Sequence, residues 1–433
     1  MSPIDRYFKI SERGSTLLTE VRAGLTTFLT MAYILFINPQ ILSLTGMPAD
    51  DVAIATALAS AFACLVMGLY ANFPFALAPG MGLNAYFTFG VVQGLGVSWQ
   101  TALLAVFIEG LLFMALAWGG FRTRVIDAIP QSLKIATMTG IGLFLAIIGF
   151  ENVGLTVDHP ATLVTLGDLH DPSLLLALLG ILLITALMVL KIRGAILLGI
   201  AAITLIAWTV GLHPFPDSFM AIPSLPRETL LALDFSQIFT ASLITVVLAF
   251  LFVDIFDTAG TLLGVGRLGG FLDDKGRLPN ADKAFMADAG GTSVGALLGT
   301  STVTSYIESA SGVEEGGRTG LTAVVVAILF LLALFFTPIF TAIPAMATAP
   351  ALIVVGVLMM GGARDLDWQQ LEEAVPAFLT IVTMPFTYSI AHGITMGIVT
   401  WVALRLLLGR FRDVNPIIGT LAALLVVYHG FSG

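Results

Sequence analysis

Charged residues are scarce in this sequence. Lys, Arg, Asp and Glu together make up 11% of its 433 residues, against about 25% in an average soluble chain. Apolar residues make up 57%, and apolar runs recur from Leu25 to Val427. This balance excludes a water-soluble globule of this size, so most of the chain is expected to lie in a lipid bilayer.

Cysteine, metal-binding patterns and nucleotide-binding loops are also missing or nearly so. Cys64 is the single cysteine, which excludes an internal disulfide or a paired-cysteine metal site, and we predict that it is a small apolar filler. No pair among the five histidines has metal-ligand spacing on a common helix. No glycine-rich loop carries the Lys and Ser/Thr that grip phosphate. We therefore expect no metal, no cofactor and no use of ATP as the energy source.

The apolar runs predict fourteen membrane-spanning segments, seven in each half of the chain. The predicted segments lie near residues 23–45, 52–71, 75–91, 99–118, 126–152, 172–191, 194–211, 237–265, 284–298, 300–315, 318–338, 344–361, 374–389 and 391–409. A further apolar stretch at 416–430 is too short to count as a fifteenth crossing. We expect that stretch to lie at the membrane interface or to pack on the helix bundle.

The placement of basic residues predicts the orientation in the membrane. If the N-terminus is cytoplasmic, each of the 19 Lys and Arg residues except Arg227 falls in a cytoplasmic loop or at the cytoplasmic end of a span. That bias is the one that orients membrane proteins. The polar first twenty or so residues lack the apolar core and cleavage site of a signal peptide. We therefore expect the first span to act as the insertion signal.

Spans 3 and 10 are interrupted by residues that break helices. Pro74, Pro79, Gly80 and Gly82 interrupt span 3, and the Ser/Thr-rich run at 300–304 predicts a short extended segment before span 10 becomes helical. Both spans are third in their half, and an odd number of spans per half inverts the two halves, a pattern typical of transporters. Broken helices persist in hydrocarbon only where they line a protein cavity. The two breaks therefore predict a ligand-binding cavity.

Ionisable residues lie beside these breaks. Asp254 and Asp257 are on one face of span 8, Glu308 follows the break in span 10, and Asn84 follows the break in span 3. Ionisable groups at membrane depth are functional candidates by default. Neighbouring carboxylates in a low-dielectric pocket repel one another, so at least one is expected to load and release a proton near neutral pH. That chemistry is typical of a proton symporter, and the alternative is a structural bond for each residue.

Three other acidic residues within spans are predicted to be structural. Glu109 is in the middle of span 4 with no helix break beside it, which favours a packing bond between helices. Asp288 in span 9 and Glu151 at the end of span 5 are interpreted in the same way.

Several strings resemble the AzgA-like adenine/guanine/hypoxanthine permeases of the nucleobase–cation symporter (xanthine/uracil permease) family. They are TTFLTMAYILFINPQIL, APGMGLNAYF, FVDIFDTAGTL, GTSTVTSYIESASGVEEGGRTGLTA and PAFLTIVTMPFTYSIAHGI, within a similarity that runs from about residue 5 to 410. The resemblance implies an all-α polytopic membrane protein with a seven-plus-seven inverted repeat of fourteen segments, extended breaks in segments 3 and 10, and a homodimer. It implies a core domain at 1–118 and 212–338 and a gate domain at 119–211 and 339–433.

The resemblance also implies the function and the site. The implied function is secondary active transport, not catalysis: purine nucleobases (adenine, guanine, hypoxanthine) enter across the cell membrane by proton symport with elevator-like alternating access. Na⁺ stays open as the coupling ion, and the implied partners are the base and the lipid bilayer, with no nucleic acid. The residues implied to bind the base are Asn84, Asp254 and Glu308, and those implied to support binding or proton coupling are Asp257, Thr258 and Ser305.

The chemistry of these residues agrees with a neutral, flat, hydrogen-bonding solute. A carboxylate such as Glu308 can accept two adjacent N–H groups from one base edge, and an asparagine offers both a donor and an acceptor. An anion carrier of similar inverted-repeat architecture would need Lys or Arg in the middle of a span near the breaks, and the sequence has none there. An ion channel is disfavoured because no filter repeat occurs. The order of preference among the purines stays open.

Overall fold

The computed structural model describes residues 2–118, 129–237, 241–274 and 277–431. The described chain is mostly helical, and each predicted segment coincides with a helix or with a short strand that leads into one. Residues 126–128 of predicted span 5 and 238–240 of predicted span 8 lie outside the described residues. The same is true of Arg122, Arg124 and Lys275, which contributed to the predicted orientation.

Eighteen α-helices and four short strands are described. The helices are α1 (Pro3–Phe8), α2 (Leu17–Met31), α3 (Ile34–Ser43), α4 (Ala49–Val66), α5 (Met81–Ala85), α6 (Trp99–Trp118), α7 (Gln131–Asn152), α8 (Pro172–Val189), α9 (Ala195–Thr209), α10 (Ala241–Leu268), α11 (Ala281–Leu298), α12 (Ser309–Glu314), α13 (Gly320–Ala333), α14 (Thr337–Thr341), α15 (Ala345–Met360), α16 (Leu371–Thr387), α17 (Ile390–Leu407) and α18 (Pro416–Phe431). Turns of π-helix continue α4 (Met67–Ala71) and α5 (Tyr86–Gln93), and 3-10 turns occur at Phe235–Gln237, Leu334–Phe336, Gly361–Asp365 and Phe411–Asp413. The strands are β1 (Leu77–Pro79), β2 (Thr156–His159), β3 (Leu163–Leu166) and β4 (Val303–Ser305).

The helices identify a multi-pass membrane protein. Nine helical stretches among the described residues are long and apolar enough to cross a membrane. Other predicted segments are not: α9 is apolar but brief, α11 is long enough but carries three charged residues, and segments 3 and 10 are divided between a strand and a helix. The count of fourteen crossings in an inverted repeat therefore stays a prediction.

The long helices pack in two groups, which we call the first and second helix sets. The first set consists of α2, α4, α6, α10, α11 and α13, and the second consists of α7, α8, α9, α15, α16 and α17. Helix α7 of the second set contacts both α5 and α10. The two halves of the sequence are interleaved in both sets. The division into core and gate domains stays a prediction. The two helix sets are the groups of helices to which that division would apply.

The buried carboxylate of Glu20 links two segments that are distant in the sequence. Glu20 on α2 is fully buried, and its carboxylate accepts hydrogen bonds from the backbone N–H groups of Arg318 (3.0 Å) and Thr319 (3.2 Å) and from the hydroxyl of Thr322 (2.6 Å). These N–H groups belong to the start of α13, where helical partners are lacking. A carboxylate from one half of the sequence therefore caps a helix of the other half.

The C-terminal stretch at 416–430 forms helix α18, which packs against α17. Ile418 and Leu421 are buried in this contact. The expectation that this stretch packs on the bundle is confirmed.

Two glycines allow α7 and α15 to approach closely within the second helix set. A Cβ atom on Gly142 would lie 2.7 Å from the carbonyl oxygen of Gly356, and a Cβ on Gly356 would meet the carbonyl of Gly142 in turn. Small residues permit this kind of backbone contact between membrane helices. The second set is therefore a tightly packed unit at this crossing.

We expect Gly356→Val to destabilise the protein because the new side chain must separate α7 from α15. Overpacking of this kind typically costs about 1–3 kcal/mol. The measurement is the midpoint temperature of thermal unfolding in detergent. The matched control is Gly361→Val, because a Cβ at that position meets no atom within 4 Å. Equal midpoints for the two variants would contradict a tight crossing at Gly356.

Candidate functional site

The two predicted helix breaks are confirmed, and they meet. Strand β1 from segment 3 pairs antiparallel with β4 from segment 10, with Leu77 opposite Ser305 and Pro79 opposite Val303. A further bond, from Gly80 N–H to the carbonyl of residue 302 (3.0 Å), extends the pairing. The extended segments thus satisfy each other's backbone groups, as an apolar environment requires.

Side chains complete the hydrogen bonding of β1. The Cys64 sulfur accepts from the N–H of Leu77 (3.1 Å) and donates to its carbonyl (3.3 Å). The Tyr306 hydroxyl donates to the carbonyl of Pro79 at 2.5 Å. Cys64 is buried, as expected of a small filler, but it also holds the strand. Its position beside the break was not predictable from an apolar sequence context.

A cavity of about 520 Å³ lies at the N-terminal ends of α5 and α12. Its size is typical of small-molecule sites. It reaches Asp365, which is exposed at the surface. The lining residues are Tyr33, Gly80, Met81, Gly82, Ile135, Met138, Asp257, Thr261, Thr304, Ser305, Tyr306, Ile307, Glu308, Val355, Leu358, Met359, Gly362 and Asp365.

The cavity wall consists mostly of apolar side chains, and the charged side chains in it are acidic. Asp257 and Glu308 are the acidic side chains in its inner part, and no Lys or Arg is among the described lining residues. Both helix sets contribute, since Ile135 and Val355 belong to the second set. Such a cavity suits a neutral ligand that presents N–H donors to carboxylates.

Tyr33 holds Glu308 in place. This tyrosine lies at the junction between α2 and α3, and its hydroxyl donates a hydrogen bond to Oε1 of Glu308. Sequence reasoning missed Tyr33, because a tyrosine within a long apolar run is usually a packing residue. The only signal was its place in the string TTFLTMAYILFINPQIL.

Asn84 and Asp254 lie behind the cavity wall and do not line it. Asn84 is fully buried, and its Oδ1 accepts from the hydroxyl of Ser301 while its Nδ2 has no partner among the described residues. Asp254 is also fully buried, and its Oδ1 receives one long contact from the Thr258 hydroxyl (3.4 Å). Of the three residues implied to bind a base, Glu308 alone faces the cavity in this conformation.

Thr258 and Ser305 connect the cavity to the interior. The Thr258 hydroxyl donates to Oδ1 of Asp288 at 2.9 Å and lies 2.8 Å from the hydroxyl of Thr304, and Ser305 donates to the same Asp288 oxygen at 3.0 Å. Thr304 and Ser305 are on β4 and line the cavity. The predicted structural bonding of Asp288 is confirmed, and these bonds also place it next to the site.

Glu109 lies in the same region without any donor. Its side chain is fully buried, neither carboxyl oxygen has a hydrogen-bond donor among the described residues, and the Asp254 carboxyl is its neighbour. The described residues therefore do not supply the packing bond that we expected, and the group that faces Glu109 is another acid. An acidic residue in mid-span was a signal in itself, but its neighbour was not visible from the sequence.

Comparison with known proteins settles the family. The xanthine/uracil permease model, described as "Permease family", matches residues 18–396. The chain belongs to this permease family. The chain is 51% identical to a putative permease of Methanocaldococcus jannaschii, over 99% of this chain and 98% of the relative. It is 44% identical to the guanine/hypoxanthine permease PbuG of Bacillus subtilis, over 98% of this chain and 99% of the relative.

A third relative supports the same assignment. The adenine permease AdeP of Escherichia coli is 44% identical, over 98% of this chain and 95% of the relative. The resemblance inferred from the sequence motifs is thus confirmed. The expectation that the chain is not an enzyme is confirmed by its membership of a permease family.

Solved structures share the fold at low sequence identity. The transmembrane domain of a cyanobacterium bicarbonate transporter superposes with a TM-score of 0.67 at 17% identity, over 87% of this chain and 97% of that chain. The murine solute carrier 26 family member A9 anion transporter, in the inward-facing state, superposes with a TM-score of 0.65 at 12% identity. The superposition covers 92% of this chain and 69% of that chain. These similarities define the architecture and leave the ligand to be argued from the site.

Proposed function

We propose that this permease imports purine nucleobases, including adenine, guanine and hypoxanthine, across the cell membrane by proton symport. The observation that carries the proposal is the cavity where the two broken segments meet, with carboxylates and no described basic residue in its wall. The relatives named as guanine/hypoxanthine and adenine permeases support it. The anion transporters of similar fold bear on the architecture alone, and the carboxylates of Asp257 and Glu308 in the cavity would repel an anion.

Glu308 is the proposed anchor for the base. Tyr33 occupies Oε1 of its carboxylate, which leaves Oε2 to accept an N–H group of the purine. Asp257 supplies a second acceptor in the same cavity. Asn84 acts from behind the wall, by fixing the Ser301 end of the extended segment before β4.

We further propose that the first helix set is the core domain, which carries the base, and that the second set is the gate domain. The cavity lies between them, so a displacement of one set against the other would change the side on which it opens. This elevator-like movement keeps the site nearly constant while its accessibility alternates. A cytoplasmic N-terminus, the inverted repeat of fourteen segments and a homodimer complete the proposal.

The test is uptake of radiolabelled hypoxanthine into proteoliposomes containing the purified protein. An acidic exterior should drive accumulation above the equilibrium level, and a protonophore should abolish that accumulation. Unlabelled adenine and guanine should compete, whereas uracil and bicarbonate should not. Accumulation that needs a Na⁺ gradient would replace the proton with Na⁺. A purine-independent ionic current would favour a channel, and bicarbonate uptake would favour an anion carrier.

A further inference from the structure

Three fully buried carboxyl groups lie together behind β4. Glu109 is on α6, Asp254 on α10 and Asp288 on α11, and each side chain has 0% exposure. Helix α6 packs against both of the other helices. Gly110 allows the close approach, because a Cβ there would lie 2.9 Å from the backbone nitrogen of Ser293 on α11.

The three groups differ in how many donors serve them. Asp288 receives two good hydrogen bonds, from Thr258 (2.9 Å) and Ser305 (3.0 Å), whereas Asp254 receives one long contact of 3.4 Å. Both oxygens of Glu109, Oδ2 of Asp254 and Oδ2 of Asp288 have no partner among the described residues. Glu109 is therefore the member of the cluster with no donor at either oxygen, and Asp254 is the member with one long contact.

Among the described residues, the titratable groups that face Glu109 are Asp254 on α10 and Asp288 on α11, and Asp254 also has Asp257 as a neighbour on α10. Two adjacent carboxylates are both acceptors, so they repel when ionised and form a hydrogen bond only when one of them holds a proton. Burying an unpaired charge is costly. The missing donor between Glu109 and Asp254 is thus supplied most simply by a bound proton.

A chain of hydroxyl groups connects this pair with the cavity. Thr258 contacts Asp254, and its hydroxyl lies 2.8 Å from that of Thr304, which lines the cavity. Ser305 lines the same cavity and reaches the cluster through Asp288. Hydroxyls both donate and accept, so they can pass a proton along such a chain.

We propose that the facing carboxyls of Glu109 and Asp254 are the binding site for the coupling proton, filled from the substrate cavity through the hydroxyls of Thr258 and Thr304. The loaded pair carries one proton more than the unloaded pair, taken up on one side of the membrane and released on the other. No covalent bond between heavy atoms forms or breaks. This inference rests on the proposed function, and it assigns the coupling step to a residue outside the substrate cavity.

The test compares Glu109→Gln with wild type in proteoliposomes, using labelled hypoxanthine. Exchange of internal for external hypoxanthine at equal pH should be retained within a few-fold, because Glu109 does not line the cavity. Accumulation driven by an acidic exterior should be lost, together with the proton influx reported by a pH-sensitive dye inside the vesicles. The conservative variant Glu109→Asp, which keeps a carboxyl, should recover part of both signals. The control is Glu12→Gln, which removes an exposed carboxylate and should leave both unchanged.

Two results would overturn the inference while leaving purine–proton symport intact. One is a Glu109→Gln protein that couples as wild type does, and the other is a Glu109→Asp variant no better coupled than the Gln variant. If wild type itself moves no protons with hypoxanthine, the proposed function and the inference are both overturned.

A binding measurement covers the case of a variant that folds but does not transport. Calorimetry of hypoxanthine binding in detergent, in two buffers that differ in ionisation enthalpy, reports the protons taken up on binding. We expect proton uptake in wild type and a loss of it in Glu109→Gln. Equal proton uptake in the two proteins would place the proton elsewhere. If Glu109→Gln does not fold, the same measurement on Asp254→Asn, which removes the other carboxyl of the pair, decides: lost or reduced proton uptake supports the pair, and unchanged uptake opposes it.

Discussion

Glu308→Gln is expected to lose nearly all hypoxanthine uptake. The amide keeps the size of the side chain but offers fewer acceptor sites and turns a donor toward the N–H groups of the base. A hydrogen bond to a charged group is worth about 1.5–3 kcal/mol, so affinity should fall roughly ten- to hundredfold. Uptake at a hypoxanthine concentration below the wild-type KM and binding in detergent would both be measured, with membrane expression quantified in parallel.

Two companion variants make this result specific. Tyr33→Phe removes the donor to Oε1 of Glu308 but leaves the carboxylate that accepts from the base, so a smaller loss of affinity is expected, about tenfold or less. Glu314→Gln removes an exposed carboxylate on α12 and should have no effect. A Glu308→Gln variant that transports within a few-fold of wild type would remove Glu308 as the anchor.

A disulfide between α5 and α7 is expected to stop transport altogether. Helix α5 follows β1, which packs against α4 of the first helix set, whereas α7 belongs to the second set. A Cβ on Gly82, which follows β1, would lie 3.7 Å from the Cβ of Ile141 on α7. Disulfides typically have Cβ separations of about 3.5–4.5 Å. If the first set moves against the second, oxidation of the Gly82→Cys/Ile141→Cys pair should reduce uptake to the level of empty vesicles, and a reductant should restore it.

The matched control is a disulfide within the second set. A Cβ on Gly199 would lie 3.5 Å from the Cβ of Ile184, and both residues are in neighbouring helices of that set. Oxidation of this pair should leave uptake unchanged. Both pairs would be made with Cys64→Ser, because a hydroxyl can replace the hydrogen bonds of Cys64 to Leu77. Normal uptake by the oxidised 82–141 pair would contradict relative movement of the sets.

The location of the site was predictable from local sequence, because Pro, Gly and Ser/Thr clusters cannot continue a helix in lipid without partners. The pairing of segments 3 and 10 and the placement of Glu308 in the cavity both follow that prediction. The family was recognisable from motifs in the same segments. These features could be predicted because they depend on residues that are adjacent in the sequence and that interrupt a helix.

Side-chain orientation around the breaks was not predictable in the same way. Asn84 follows a break as Glu308 does, yet it faces Ser301 and not the cavity. Glu109 and Asp254 are distant in sequence, and their encounter depends on how α6 packs against α10. A hydropathy pattern does not say how a helix is rotated about its axis or which neighbour a side chain meets. For that reason the sequence also did not show that Tyr33, within an apolar run, contacts Glu308.

The pairing of β1 with β4 also bears on how the protein is made. Leu77 pairs with Ser305, so the first partner leaves the ribosome long before the second. Until then the backbone of β1 has hydrogen-bonding groups that lipid cannot satisfy. We therefore expect segment 3 to complete its insertion only after segment 10 has been synthesised, with the binding site among the last parts of the molecule to form.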